Sequence, residues 1–280
     1  MDLELLRTFL EVARLRHFGQ AAEALHLTQA AVSARIKLLE ATLDVRLFDR
    51  IKRDIRLTPE GNRLLRHADL LIAGWRKARQ EVTVGNANLQ LSFGGGLRLW
   101  EVFLQEWLQQ LRIDRPEIAL IAESHSPEVL TRRLLDGVID LAFMLEPAQI
   151  DILHIQQVTT LKLGLVSTRP DIGADEALGD GYLMVDWGLA HALTHRRLFP
   201  DAPEPMTRLA TAGMAISYML AIGGSAYVPL HMVERELATG QLYRVGETPG
   251  IEYPAYAVYP VRGPRTALIR QVLPVIHEVT

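Results

Sequence analysis

The residues whose types and order could do chemistry lie between positions 28 and 56. Thr28, Gln29, Ala30, Ser33 and Arg35 open a segment with helical periodicity. Gln can pair with the edge of adenine and Arg with that of guanine, so a short polar rim of this kind suits base edges in a major groove. The same rim would also serve an ordinary amphipathic helix with a solvated polar face. The next segment favours the first reading. Asp49 to Thr58, DRIKRDIRLT, alternates basic with apolar residues around a turn expected at Lys52 to Asp54. A hairpin of that pattern would lay Arg50, Lys52, Arg53 and Arg56 along phosphates.

Other chemistries fail on spacing. His191-Ala-Leu-Thr-His195 sets two histidines on one helix face but lacks the Glu of HExxH, so no catalytic zinc site is expected. GGGLRL does not have the spacing of a phosphate loop, and no G-x-S-x-G elbow occurs. The chain has no cysteine, which excludes disulfides, thiolate metal sites and a thiol redox switch. No catalytic residue, metal ligand or cofactor is assigned, and an enzyme is not expected.

The rim needs a scaffold, and the flanking residues supply one. Asp2 to Arg14 reads as a first helix capped by Asp2, with Leu5, Leu6, Phe9, Leu10 and Val12 or Ala13 turned inward. Gly19 to His26 reads as a second, in which small Ala21 and Ala22 allow a close crossing and Leu27 plugs the turn. Thr28 then caps a third helix to about Leu43, with Val32, Ile36, Leu39 and Leu43 on its buried face. With the hairpin this makes a winged helix-turn-helix. Thr58-Pro-Glu-Gly opens a long helix to about Val84, because Pro at the first helical position loses nothing by lacking an N–H. Along it Leu64, Ala68, Leu71, Trp75, Ala78 and Val82 recur at heptad spacing, a seam that asks for a partner helix. Gly85 to Asn88 reads as a hinge.

From Leu89 onward strands and helices alternate, as in an open α/β sheet. Strands are expected at Leu89 to Phe93, Glu117 to Glu123, Ile139 to Leu145, Leu161 to Ser167, Tyr182 to Asp186, Thr207 to Ala210 and Tyr227 to Pro229. Helices are expected at Leu99 to Leu111, from Ser126-Pro127 to before Gly137, at His191 to Leu198, at Ala212 to Ile222 and at Pro264 to Val279.

Charge divides the chain in the same way. Residues 1–88 hold 15 Lys and Arg against 11 Asp and Glu, and residues 89–280 hold 15 against 22, giving +4 and −7 within a total of −3. A basic first part suits counterion release from DNA, and an acidic second part would sit away from the duplex. Plus four is modest for one copy, which favours an oligomer. No apolar run approaches the ~18 residues of a membrane span, and the start MDLELL is not a signal peptide, so a cytoplasmic protein with no membrane partner is expected.

Taken in order, LLRTFLEVAR, AAEALHLTQAAVS, LFDR and RLTPEG resemble the DNA-binding and linker region of LysR-type transcriptional regulators over residues 1 to about 85. The ELLRTFLEVAR-x-RHFG opening and the later LWE and DWG segments are similar to one branch of that family. Such regulators usually carry Pro where Ala30 stands and Arg where Ala34 stands, so the pattern of base contacts departs there. The resemblance implies an α/β multidomain chain. A winged helix-turn-helix at 1–58 and a linker helix and hinge at 59–88 would lead into a regulatory domain at 89–280. That domain would hold two α/β subdomains of periplasmic-binding-protein-like type, 89–163 with 262–280 and 164–261, joined by strands crossing near Leu163 and Val261. It also implies double-stranded DNA as partner, a homodimer through the linker helix, a homotetramer, contact with RNA polymerase and a small-molecule effector.

An effector would sit between the subdomains, at strand ends and helix N-termini whose free N–H groups favour an anion. By position the candidates are Gly95, Gly96, Arg98, Ser124, His125, Ser126, Phe143, Met144, Asp186, Trp187, Thr211 and Tyr227. Many members of the family bind small carboxylates, and Arg98 could meet one. Asp186-Trp187 pulls the other way, toward a cationic or aromatic ligand or none. Two further readings stay open: a ligand-independent regulator whose second domain only assembles, and a solute-binding sensor whose helical region only joins partners.

Overall fold

The computed structural model describes residues 2–51, 54–83 and 89–273. It divides into two compact units, Met1–Ala87 and Asn88–Thr280.

In the first unit, α1 (Leu3–Leu15), α2 (Phe18–Ala24) and α3 (Gln29–Leu43) precede a hairpin of β1 (Phe48–Ile51) and β2 (Asp54–Leu57), followed by α4 (Pro59–Thr83). Each start follows from a cap. Asp2 accepts the Glu4 N–H at 2.9 Å, and Thr28 accepts the Ala31 N–H at 3.2 Å. Thr58 Oγ accepts the Gly61 N–H at 2.9 Å and donates to the Arg46 carbonyl at 2.7 Å, which fastens the hairpin's entry to α4. α2 begins at Phe18, because His17 Nδ1 accepts the Gly19 and Gln20 N–H groups. It ends at Ala24, short of the expected His26, whose φ of +54° is left-handed. Leu6, Phe9, Val12, Val32, Ile36 and Leu39 are fully sealed from solvent, and Phe48 brings the hairpin onto this core with its ring 5.4 Å from that of Phe9. Leu43, expected on the buried face, is 37% exposed. The helix stops there on left-handed Asp44, so Leu39 is the last residue of α3 that the core covers.

In the second unit, β3 (Gln90–Gly95) leads directly into a helix built of α5 (Leu97–Leu99), a π-helical stretch at Trp100–Leu104 and α6 (Gln105–Asp114). Next come β4 (Ala119–Ser124), α7 (Pro127–Leu135), β5 (Leu141–Met144) and the long β6 (Leu153–Ser167). The chain then forms α8 (Ala174–Ala177), β7 (Tyr182–Val185), α9 (Leu189–Leu198), β8 (Thr207–Leu209), α10 (Ala212–Ile222) and β9 (Ser225–Pro229). A 3-10 turn at Leu230–Val233, α11 (Glu234–Ala238), β10 (Tyr243–Arg244), β11 (Ile251–Pro260) and α12 (Thr266–Val272) complete the described residues.

The sheet runs β4-β3-β5-β11-β6-β9-β7-β8, with β10 on β6. β3 is parallel to β4 and β5, and β7 is parallel to β8 and β9. Between these halves, β11 and β6 pair antiparallel along their length. These two strands are the crossings. The return crossing is β11, with a register shift between Ala255 and Tyr256, and it ends at Pro260 beside the expected Val261. The sequence reading missed β10, β11 and the first part of β6. In β6, polar residues such as His154, Gln156 and Gln157 break the apolar run, because the first part of that strand is only half covered.

Phe93, Phe143 and Trp107 form the core beneath the first half, with Trp107 edge-on to both phenylalanine rings at 4.9 Å. The expected hinge at 85–88, the end of the linker helix at Val84 and the last helix beyond 273 lie outside the described residues.

Candidate functional site

α3 presents two faces. Val32, Ile36 and Leu39 close one, while the other exposes Gln29, Ala30, Ala34 and Lys37, with Ser33 half-buried beside them. Lys37 was not singled out from the sequence, although it stands seven residues from Ala30, and residues so spaced share a helix face. Arg35 does not join this rim. At ~100° per residue it comes within ~40° of the buried Leu39. Its Nη1 donates to Thr8 Oγ at 3.3 Å and lies 3.6 Å from Glu4 Oε2, so Arg35 ties α3 to α1.

In the hairpin, Asp49 faces Arg56 and Arg50 faces Ile55 across the pair. Ile55 and Leu57 pack on the core while Arg56 between them is exposed, so the expected alternation holds on this strand. Lys52 and Arg53 lie outside the described residues, as does the side chain of Arg50.

The heptad seam of α4 is divided. Leu64 and Ala68 turn toward α1 and pack with Ile72 on the unit's own core. Leu71 and Trp75 are 44% and 51% exposed, and Ala78 is exposed too. The side chain of Val82 lies outside the described residues. The first turns of α4 complete a small core, which is why only the later positions face outward.

In the second unit a cavity of about 280 Å³ opens where the strand ends of the two halves converge. Gly96, Arg98, Ser124, His125, Ser126, Phe143, Met144 and Trp187 line it, as expected by position. Glu146 also lines it and was missed, although a residue just past the end of β5 is where the strand-end rule would look. A larger groove of about 640 Å³ runs along β6 between Lys162 and Arg244, but it is built on a strand face where no strand ends meet, so the smaller cavity is the better candidate.

Four expected residues do not line this cavity. Gly95 lies within β3, and a Cβ there would overlap Leu104 Cδ1, so its smallness serves helix packing. Thr211 is 2% exposed and caps α10, accepting the Met214 N–H at 3.4 Å. Tyr227 is a core residue that donates to the Pro249 carbonyl at 3.0 Å, and burial pushes its phenol up to about 12. Asp186 stands at the rim, its Oδ2 2.6 Å from Arg98 Nη2.

That ion pair is one of several contacts between the halves. Glu146 Oε1 accepts the Ala190 N–H at the start of α9, at 2.8 Å, together with the Tyr253 hydroxyl from β11. Glu101 Oε2 accepts the Gly213 N–H at the start of α10, at 3.1 Å. His231 Nε2 lies 3.1 Å from the Val102 carbonyl in the π-helical stretch. His125 Nε2 is 3.2 Å from Glu123 Oε2, and Glu123 also pairs with Arg133. The phenol of Tyr253 is raised by burial first and by the Glu146 hydrogen bond second.

His191 and His195 are structural. They are 1% and 6% exposed, and His195 Nε2 lies 2.9 Å from the Tyr182 hydroxyl within an aromatic cluster. Burial, then the neighbouring His195, lowers His191 to about 4 against the opposing pull of Asp186, and burial lowers His195 as well. No group of three metal-ligating side chains occurs among the described residues, and no helix among them is long and apolar enough to cross a membrane.

Comparison with known proteins adds two family matches. Residues 3–62 match the bacterial regulatory helix-turn-helix protein, lysR family, and residues 89–280 match the LysR substrate binding domain. The chain is 37% identical to the HTH-type transcriptional regulator HdfR of Yersinia pestis (strain Pestoides F), over 98% of this chain and 95% of that one. HdfR represents the branch whose opening and LWE and DWG segments this sequence resembles. Among solved structures, full-length CbnR complexed with its target DNA aligns with a TM-score of 0.74 at 18% identity, covering 100% of both chains. Vibrio fischeri DarR in complex with DNA aligns at 0.58 and 22%, covering 100% of this chain and 99% of that one. At such identities these two likenesses establish the fold.

Proposed function

Because the chain belongs to the LysR family of bacterial helix-turn-helix transcriptional regulators, we propose that α3 and the β1–β2 hairpin bind duplex DNA sequence-specifically and that a small molecule in the 280 Å³ cavity modulates the binding. One observation carries the DNA reading: α3 seals Val32, Ile36 and Leu39 inside while holding Gln29 and Ala30 outside at its first turn and Lys37 on the same side two turns on. Gln29 would read a base edge, Thr28 and Ser33 would support it with hydroxyls, and Lys37, Arg50, Lys52, Arg53 and Arg56 would hold phosphates. Arg35 acts as a positioning residue that sets α3 on α1.

The exposed Leu71, Trp75 and Ala78 of α4 form the stripe for a partner helix. Dimers made there pair again into a homotetramer, multiplying the +4 charge of each N-terminal part along the DNA. In this reading residues 1–58 form the winged module, 59–88 the linker and 89–280 the regulatory domain. The protein works in the cytoplasm as a regulator without catalytic activity, touching RNA polymerase from DNA. A ligand-independent regulator is the second reading, and the contacts that already join the two halves, among them Arg98–Asp186, favour it.

The test is to recover and sequence genomic fragments bound by the full-length protein and by Gln29→Ala and Lys37→Ala. Losing one base contact costs about 1–3 kcal/mol, roughly 5- to 150-fold in affinity. Gln29→Ala should change the shared sequence, and Lys37→Ala should weaken all fragments alike. Unchanged fragments and affinities in both folded variants would sink the assignment.

A further inference from the structure

We propose that Ala30 and Ala34, on the outer face of α3, read the C5-methyl groups of two thymines, so that the chain selects A·T pairs at the centre of its half-site. The proposal rests on the DNA-binding reading of α3 and names the bases that this helix discriminates.

At ~100° per residue, Ala30, Ala34, Lys37 and Ala41 fall within ~60° of one another, opposite the sealed Val32, Ile36 and Leu39. All of them are exposed. This line is the part of α3 that would reach furthest into a major groove, and before Lys37 it carries only methyl groups. Gln29 and the half-buried Ser33 stand to one side of it.

Guanine is read best by a cationic side chain that meets both O6 and N7. The cations of α3 are Arg35 and Lys37. Arg35 is turned toward α1, donating to Thr8 Oγ at 3.3 Å and lying 3.6 Å from Glu4 Oε2. Lys37 stands two turns beyond Ala30, so the opening turns of the helix hold no group that prefers guanine. Gln29, by contrast, matches the N6 and N7 edge of adenine.

A methyl group offers no hydrogen bond, and the apolar feature that base pairs present in the major groove is the thymine methyl. Alanine side chains are also short, which lets the helix approach the base edges closely enough for facing methyl groups to lose their water. Ala30 and Ala34 lie ~6 Å apart along the helix axis, at ~1.5 Å per residue. That is about two steps of the ~3.4 Å rise of the duplex, so the two thymines should stand about two base pairs apart. Burying one methyl group is worth about fourfold in affinity.

The experiment starts from the fragments recovered with the full-length protein. Thymines of the shared half-site are replaced one at a time by deoxyuridine, which keeps the base pairing and removes only the C5-methyl. Affinities are read by fluorescence anisotropy for the unaltered protein, Ala30→Gly and Ala34→Gly. With the unaltered protein, replacement at two thymines about two base pairs apart should each cost about fourfold. Ala30→Gly should be insensitive to replacement at one of them and Ala34→Gly at the other. Glycine also weakens the helix, but that loss falls on both forms of the DNA and cancels in their ratio. A shared half-site whose affinity no deoxyuridine changes, or a loss that persists in full in both glycine variants, overturns the proposal and leaves the DNA reading standing. Recovery of fragments with no shared sequence overturns both.

Discussion

Replacing Gly61 by Ala sets helix propensity against packing. Gly61 is buried in the opening turns of α4, and in a helix interior Ala is favoured over Gly by about 0.5–1 kcal/mol, so propensity alone expects a more stable protein. A Cβ at this position would stand well inside 3 Å of the Leu47 carbonyl oxygen and 2.9 Å from Leu57 Cδ2. The oxygen is backbone and cannot swing aside. The Leu47 carbonyl accepts the Thr58 N–H at 3.0 Å, and the Leu47 N–H is held by Glu40 Oε1 at 2.8 Å. Overpacking costs about 1–3 kcal/mol, and a clash with an immovable backbone oxygen belongs to the upper half of that range, which leaves a net loss of about 1–2.5 kcal/mol after the helical gain. For a unit of this size that lowers the melting temperature by about 4–20 °C. Leu47 leads straight into β1, so DNA affinity should fall with stability as the hairpin shifts. Urea and thermal unfolding followed by circular dichroism give the first number, and fluorescence anisotropy on a recovered fragment the second. An unchanged or raised midpoint would refute the close packing of α4 on the hairpin's entry.

Two further perturbations test other parts of the structure. His191 sits near 4 against an ordinary 6.5, so the unfolded chain takes up its proton first. Stability should therefore be full above about pH 6.5 and decline below it, by about 2 kcal/mol between pH 7.5 and 5 from this group. The decline in urea midpoint across that range should be smaller in His191→Phe, with His195 supplying what remains, and parallel curves would exclude a buried neutral His191. Trp75→Glu places a charge on the outward stripe of α4, where Trp75 is 51% exposed and supports no core of its own unit. It should break the tetramer into smaller assemblies in sedimentation with helicity intact, and a variant of unaltered mass would mean that the α4 stripe is not an interface.

Whatever depends on a few neighbouring residues was legible before the fold was known. Caps such as Asp2, Thr28 and Thr58 announce helix starts because each satisfies an N–H two or three residues on. The α/β alternation, the hairpin and most of the cavity lining followed from periodicity, turn chemistry and the rule that ligands sit at strand ends. Tertiary packing settled the rest. Arg35 reads like a base contact until α1 is present to hold it at Thr8, and Leu64 and Ala68 read like a partner's seam until α1 covers them. β11 could not be placed because Pro254 and Pro260 interrupt its sequence and Pro argues against a central strand, and the pairing that settles it comes from β6. The charge of the cavity was the least legible of all. Glu101 meets Gly213, Glu146 meets Ala190 and Arg98 meets Asp186 only once the sheet brings the two halves together. A local pattern can show that a carboxylate or a guanidinium is present, but its partner, and so the charge left for a ligand, depends on distances that only the folded chain sets.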